Sequence, residues 1–158
     1  MRHTIETGLS FGLTSGIITT LGLMVGLHSG TGSEAAVIGG ILTIAIADAF
    51  SDALGIHMSE EAENKHTNTE IWEATISTFF FKFMFASTFI IPVLVLELST
   101  AIEVSVVYGL FVLALLNLRL AKSQNINPLK PIAEHLTIAL VVVVLTHFVG
   151  DWIARLFG

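Results

Sequence analysis

Asp48 and Asp52 stand four residues apart in "IAIADAFSDALG" (residues 44–55), a run that is otherwise apolar or small. Four residues make one helical turn, so the two carboxylates share a helix face. A carboxylate at the centre of a bilayer costs roughly 2.5–3.5 kcal/mol on insertion scales, so a pair is expected to line a cavity, hold a cation or exchange protons. The structural alternative is a buried ion pair with Lys82 of "TFFFKFMF", which lies about as deep in its own span. One ammonium balances one carboxylate but not both. Ser15 and Thr19 are the auxiliary oxygen donors: at about 1.5 Å per residue in antiparallel spans, Ser15 falls near the depth of Asp52 and Thr19 near that of Asp48.

The elements that must position these residues are membrane helices. Of 158 residues, 53% are hydrophobic and 13% charged, and the mean hydropathy is +0.82, outside the range of soluble domains. Runs long enough to cross about 30 Å of hydrocarbon lie near 9–28, 35–58, 74–98, 101–121 and 132–157. They do not alternate and are about twice the length of a barrel strand, so the fold class is all-α integral membrane, with five transmembrane helices in one domain, 1–158. The N-terminus shows no cleavable signal pattern, and the first run is read as a retained span. Arg2, Lys65, Lys122 and Lys130 fall in alternate connections, which predicts a cytoplasmic N-terminus and an outside C-terminus, with Arg155 snorkelling at the outer end.

The absence of cysteine rules out thiolate ligands and thiol chemistry. A net charge of −6 gives no basic footprint for nucleic acid or an anionic lipid surface, and favours a cation as partner. No catalytic residue is assigned, and the chain is not read as an enzyme. Gly8, Gly12, Ser15, Thr19, Gly22, Gly26 and Gly30 gather on one face of the first span, opposite Leu13, Ile17, Leu21 and Met24. Such a face suits either close helix packing or a polar path, and as a packing face it predicts a parallel homodimer with this helix at or beside the two-fold axis. No internal repeat is visible, so any symmetry has to come from a second subunit.

"FGLTSGIITTLGLMVGL" followed by "IADAFSDALGIHMSEEAE" resembles the vacuolar iron transporter family, whose first helix carries a D-G-L-(V/I)-T-like motif. The family's second helix pairs an alanine run containing Asp or Gly with Ser-Met and a downstream Gly-Glu-Tyr. The similarity continues through "IIP" at Pro92 and "LTIALVVVVLTHFVGDWIARLFG", covering nearly the whole chain. The resemblance implies a homodimer of five-helix subunits, a metal path at the dimer axis formed by the first two helices, and export of ferrous or manganous ions from the cytosol by proton antiport.

The departures fall at the functional positions. Ser15 stands where the family has Asp, Asp52 where it has Met, and Ile56 where it has Glu, with His57 following. The Met-to-Asp exchange replaces a soft donor with a hard one, which suits Mn²⁺, Fe²⁺, Ca²⁺ or Mg²⁺. The family's long metal-binding insertion between spans two and three is absent, because "SEEAENKHTNTEIWE" leaves room for little more than a turn. Glu60 and Glu63, with Glu61, His66, Glu70 and Glu73, are read either as an acidic vestibule that concentrates cations or as a solvated loop. His147 and Asp151 share a face of the last helix, as a relay, an exit pair or a hydrogen bond at the membrane edge, and Glu97 and Glu103 are given no role.

The functional expectation is a homodimeric divalent-cation transporter coupled to protons, with Asp48 and Asp52 of each subunit forming a ring of up to four carboxylates at the dimer interface, Ser15 and Thr19 as auxiliary ligands, Glu60 and Glu63 as metal-binding residues at the cytoplasmic mouth, and no tightly bound cofactor. Carboxylates this close cannot all stay charged without a cation, so a proton replaces the metal when it leaves. Two alternatives remain open: a membrane metal sensor or assembly partner that does not transport, and a transporter of another solute that uses the aspartates only for protons.

Overall fold

The structure is a computed structural model that describes residues 3–158; Arg2, one of the orientation residues, lies outside the described residues. Its helices are α1 (His3–Thr31), α2 (Glu34–Thr43), α3 (Ala49–Glu63), α4 (Asn68–Thr88), α5 (Ile90–Val95), α6 (Leu98–Ser123) and α7 (Leu129–Phe157). A π-helical turn, Ile44–Asp48, joins α2 to α3. No strand occurs among the described residues, and five helical segments are long and apolar enough to cross a membrane. They are Thr4–Thr31, Glu34–Glu63, Asn68–Val95, Leu98–Ser123 and Leu129–Phe157.

Local chemistry explains the boundaries. Gly32, at φ +59°, closes α1 in the left-handed region, and Ser33 immediately caps α2 by accepting from the Ala36 N–H at 3.3 Å. His28, Ser29 and Gly30, expected in the connection, are therefore still helical. Asn64, at φ 54°, ends α3, and Thr67 opens α4 with a capping box: its hydroxyl accepts from the Glu70 N–H, and the Glu70 carboxylate accepts from the Thr67 N–H at 2.9 Å. Four residues, 64–67, separate the two helices. Pro92 has no N–H for the Thr88 carbonyl, and its ring crowds that oxygen, so the third span breaks at Phe89. That span ends at Val95 and not at residue 98 as expected, because Leu96 turns extended and Glu97 starts α6.

α1 is the most buried of the five spans and α7 the least. Leu13, Ile17, Leu21 and Met24 form the centre of the core, together with Ile41, Phe89, Val93 and Leu113. The glycine face of α1 packs within the same chain, against α4 and α7. A Cβ on Gly12 would stand 2.6 Å from the Thr78 carbonyl oxygen of α4, and one on Gly22 2.8 Å from Val142 of α7. At the far end Gly150 of α7 lies against Ser29 and Gly30. Small residues let three backbones close together, the device that replaces hydrophobic driving force in lipid. Large apolar side chains instead point outward, among them Phe50, Leu54, Phe80, Phe111, Leu145 and Trp152. That surface is foreign to water-soluble monomers and suits a multi-pass membrane protein.

The π turn follows from the second span's own sequence. Val37, Ile41, Ala45, Ala49 and Ala53 are all buried, and every step between them is four residues. On a straight α-helix each such step drifts by about 40°, so the last would point about 160° away from the first. The wider π turn absorbs one residue and holds the row on one face.

Candidate cation site

Asp48 closes the π turn, and Asp52 lies in the first turn of α3, so both carboxylates project from the face that meets α4. Opposite them stands Lys82, on α4, midway along the segment Asn68–Val95 and fully buried. Its Nζ lies 2.5 Å from Asp48 Oδ2, donates to Asp52 Oδ2, and donates to Ser15 Oγ of α1 at 2.9 Å. The ammonium carries three N–H groups and meets three oxygens. The expectation that Lys82 pairs with one aspartate is thus corrected: it bridges both. Formal charge still does not balance, since two carboxylates face one ammonium.

The two carboxylates are not equivalent. Asp52 takes a directed hydrogen bond and is 19% exposed; Asp48 makes an ion pair without hydrogen-bond geometry, its Oδ2 has no other partner, and it is 32% exposed. Asp48 is the looser and more accessible of the two.

Ser15 meets the site as its depth predicted. Thr19 turns its hydroxyl to its own helix, donating to the Ser15 carbonyl at 2.7 Å, and makes no hydrogen bond to either aspartate. Glu60 and Glu63 lie eight and eleven residues beyond Asp52 on α3, about 12 Å and 16 Å along the axis. Glu60 pairs with His66 at 3.2 Å and Glu63 with Lys65 at 3.4 Å, so neither joins the aspartates. Among the described residues, no three His, Asp or Glu gather as a metal-holding group within this chain.

Three histidines fasten helix pairs elsewhere. His147 of α7 lies 2.5 Å from the Ser29 hydroxyl of α1 and 3.7 Å from Asp151, so its closest polar partner is on another helix. His57 of α3 bonds Thr75 of α4 at 2.9 Å and sits edge-on to Trp72. His135 of α7 bonds the buried Asn117 of α6, a pair that sequence reasoning missed because neither residue has a polar neighbour at helical spacing. The π turn was missed as well, although the unbroken four-residue spacing of its buried row is a signal for it.

No protein-family model, curated protein or solved structure matches this chain.

Proposed function

We propose that this chain is a membrane transporter that exchanges a divalent cation for protons at Asp48 and Asp52, exporting the metal from the cytosol. The observation that carries the reading is a fully buried ammonium shared by two carboxylates that remain partly exposed. A site with one negative charge in excess, at mid-span depth, favours a 2+ ion over a bare ammonium and takes up a proton when the ion leaves. Oxygen donors suit Mn²⁺ or Fe²⁺, with Ca²⁺ and Mg²⁺ within reach of the same chemistry. A π turn beside the ligands supports the reading, since such turns concentrate at functional sites. The motif resemblance to vacuolar iron transporters supports it as well, as does the lysine distribution, which predicts a cytosolic N-terminus. Mn²⁺ uptake by vesicles containing the purified protein, followed together with internal pH, tests it. Metal entry with opposite proton movement is expected; impermeability to Mn²⁺, Fe²⁺ and Ca²⁺ alike would sink it.

One observation favours a static alternative, namely that three oxygens surround the ammonium, two of them accepting hydrogen bonds from it and the third paired by charge. Under that reading, aspartate substitutions alter melting and leave flux unchanged.

A homodimer fits the exposed small residues of the second span better than the glycines of α1. Gly39, Thr43, Ala47, Ser51, Gly55 and Ser59 form an exposed stripe beside the aspartates, kept straight by the same π turn. A Cβ on Gly39 or Gly55 meets nothing within 4 Å. Gly55→Leu is therefore expected to leave the subunit fold intact and separate the dimer, read as a halved protein mass by light scattering in mild detergent. A dimer that survives both Gly39→Leu and Gly55→Leu would place the partner on another face.

A further inference from the structure

Lys82 Nζ touches the oxygens that a cargo cation would need: Asp48 Oδ2, Asp52 Oδ2 and Ser15 Oγ. Two positive centres cannot share those oxygens, so cation and ammonium exclude each other. We infer that Lys82 is a tethered counter-ion that fills the cation seat between cargoes and must be displaced for cargo to bind, which makes it the residue that selects divalent over monovalent ions. The inference rests on the transport reading above.

Charge gives the selectivity. With Lys82 in place the cluster carries a formal −1; a 2+ ion in its stead brings it to zero, whereas a 1+ ion leaves it at −1. A monovalent ion thus gains nothing over a competitor of equal charge that is already covalently attached, and a divalent ion does. The geometry gives the route. The base of the lysine is fixed, because a Cβ on Gly12 would lie 3.2 Å from the Lys82 backbone nitrogen, and one on Gly16 3.4 Å from its Cγ and carbonyl oxygen. The outer carbons of the flexible stem are the part free to swing. Asp48, accessible and held without hydrogen-bond geometry, is the carboxylate an arriving cation meets first.

The full chain in detergent allows two tests. Lys82→Met keeps the stem and removes the charge; Mn²⁺ is expected to bind about tenfold tighter once the internal competitor is gone. Na⁺ is expected to compete with Mn²⁺ in the variant and not in the wild type. Weaker Mn²⁺ binding with unchanged Na⁺ competition would overturn the inference and leave Lys82 as a positioning residue. Should the variant fail to fold, the wild type decides. Reductive methylation with formaldehyde, read by mass spectrometry, should spare Lys82 without metal and modify it at saturating Mn²⁺. Protection that persists at saturation, with Mn²⁺ flux intact in vesicles containing the same protein, would remove the displacement and keep transport. A wild type that binds no Mn²⁺ would remove both.

Discussion

Asp52→Asn is expected to abolish metal-coupled proton movement while the protein stays folded. The amide still offers an oxygen but cannot carry a proton, and the remaining Asp48 carboxylate is balanced by Lys82, so under the proposed exchange the cluster has no excess charge for a proton to replace. The fold has reason to tolerate the change. Lys82 retains Asp48 at 2.5 Å and Ser15 at 2.9 Å, and one ammonium then faces one carboxylate in place of two. Removing the charge also relieves a membrane cost of roughly 2.5–3.5 kcal/mol. Asp48→Asn should behave alike, through loss of the more exposed carboxylate. Vesicle flux of Mn²⁺ and H⁺, paired with melting of the same samples, provides the check, and normal flux in both variants would reduce the aspartates to structural partners of Lys82. Asp52→Met separates charge from softness: Fe²⁺ should then be preferred over Ca²⁺ and Mg²⁺, because a thioether contributes little to hard ions.

The largest stability effect is expected at Gly150→Leu. A Cβ there would stand 2.8 Å from Ser29 Cβ and 2.9 Å from the Gly30 nitrogen, with backbone that cannot rotate aside. Forcing α7 away from α1 would also strain the contact between His147 and Ser29. Overpacking of this kind costs about 3 kcal/mol. For a chain of this length that corresponds to a drop of about 6–12 °C in Tm. Val144→Leu, which adds bulk on the exposed side of the same helix, is the control. Equal melting temperatures for the two variants would show that the α1–α7 crossing is not what holds the bundle.

Five spans were legible because hydropathy and length are properties of single segments, and their ends followed from single residues such as Gly32, Ser33 and Pro92. The pairing of Ser15 with the depth of Asp52 was legible for the same reason, as a matter of counting rise per residue. Which neighbour a face meets was not. The glycines of α1 announce close approach equally well whether the partner is α4, α7 or another subunit, and only the packed bundle assigns them to its own helices. Thr19 makes no hydrogen bond to either aspartate for a local reason: a helical threonine can satisfy its hydroxyl proton on the carbonyl four residues back, here Ser15. Lys82 was underestimated because depth along a helix says nothing of azimuth, and its position between both aspartates depends on how α4 is rotated against α3.

The π turn gives the second span one residue more than an α-helix burying the same row would need. Remove Ile46 or Ala47, and the buried residues would recur at four, four, three and four, the ordinary spacing of an α-helical face. In most helices a single insertion or deletion swings everything beyond it by about 100° and destroys the packing. Here the halves on either side keep their faces with or without the extra residue, so length is cheap to change at this point while identity is not. A chain that lacks the turn would align with this one on only one side of Ile44–Asp48 until a one-residue gap is opened. The aspartates therefore sit at the seam where a gapless comparison pairs the wrong positions.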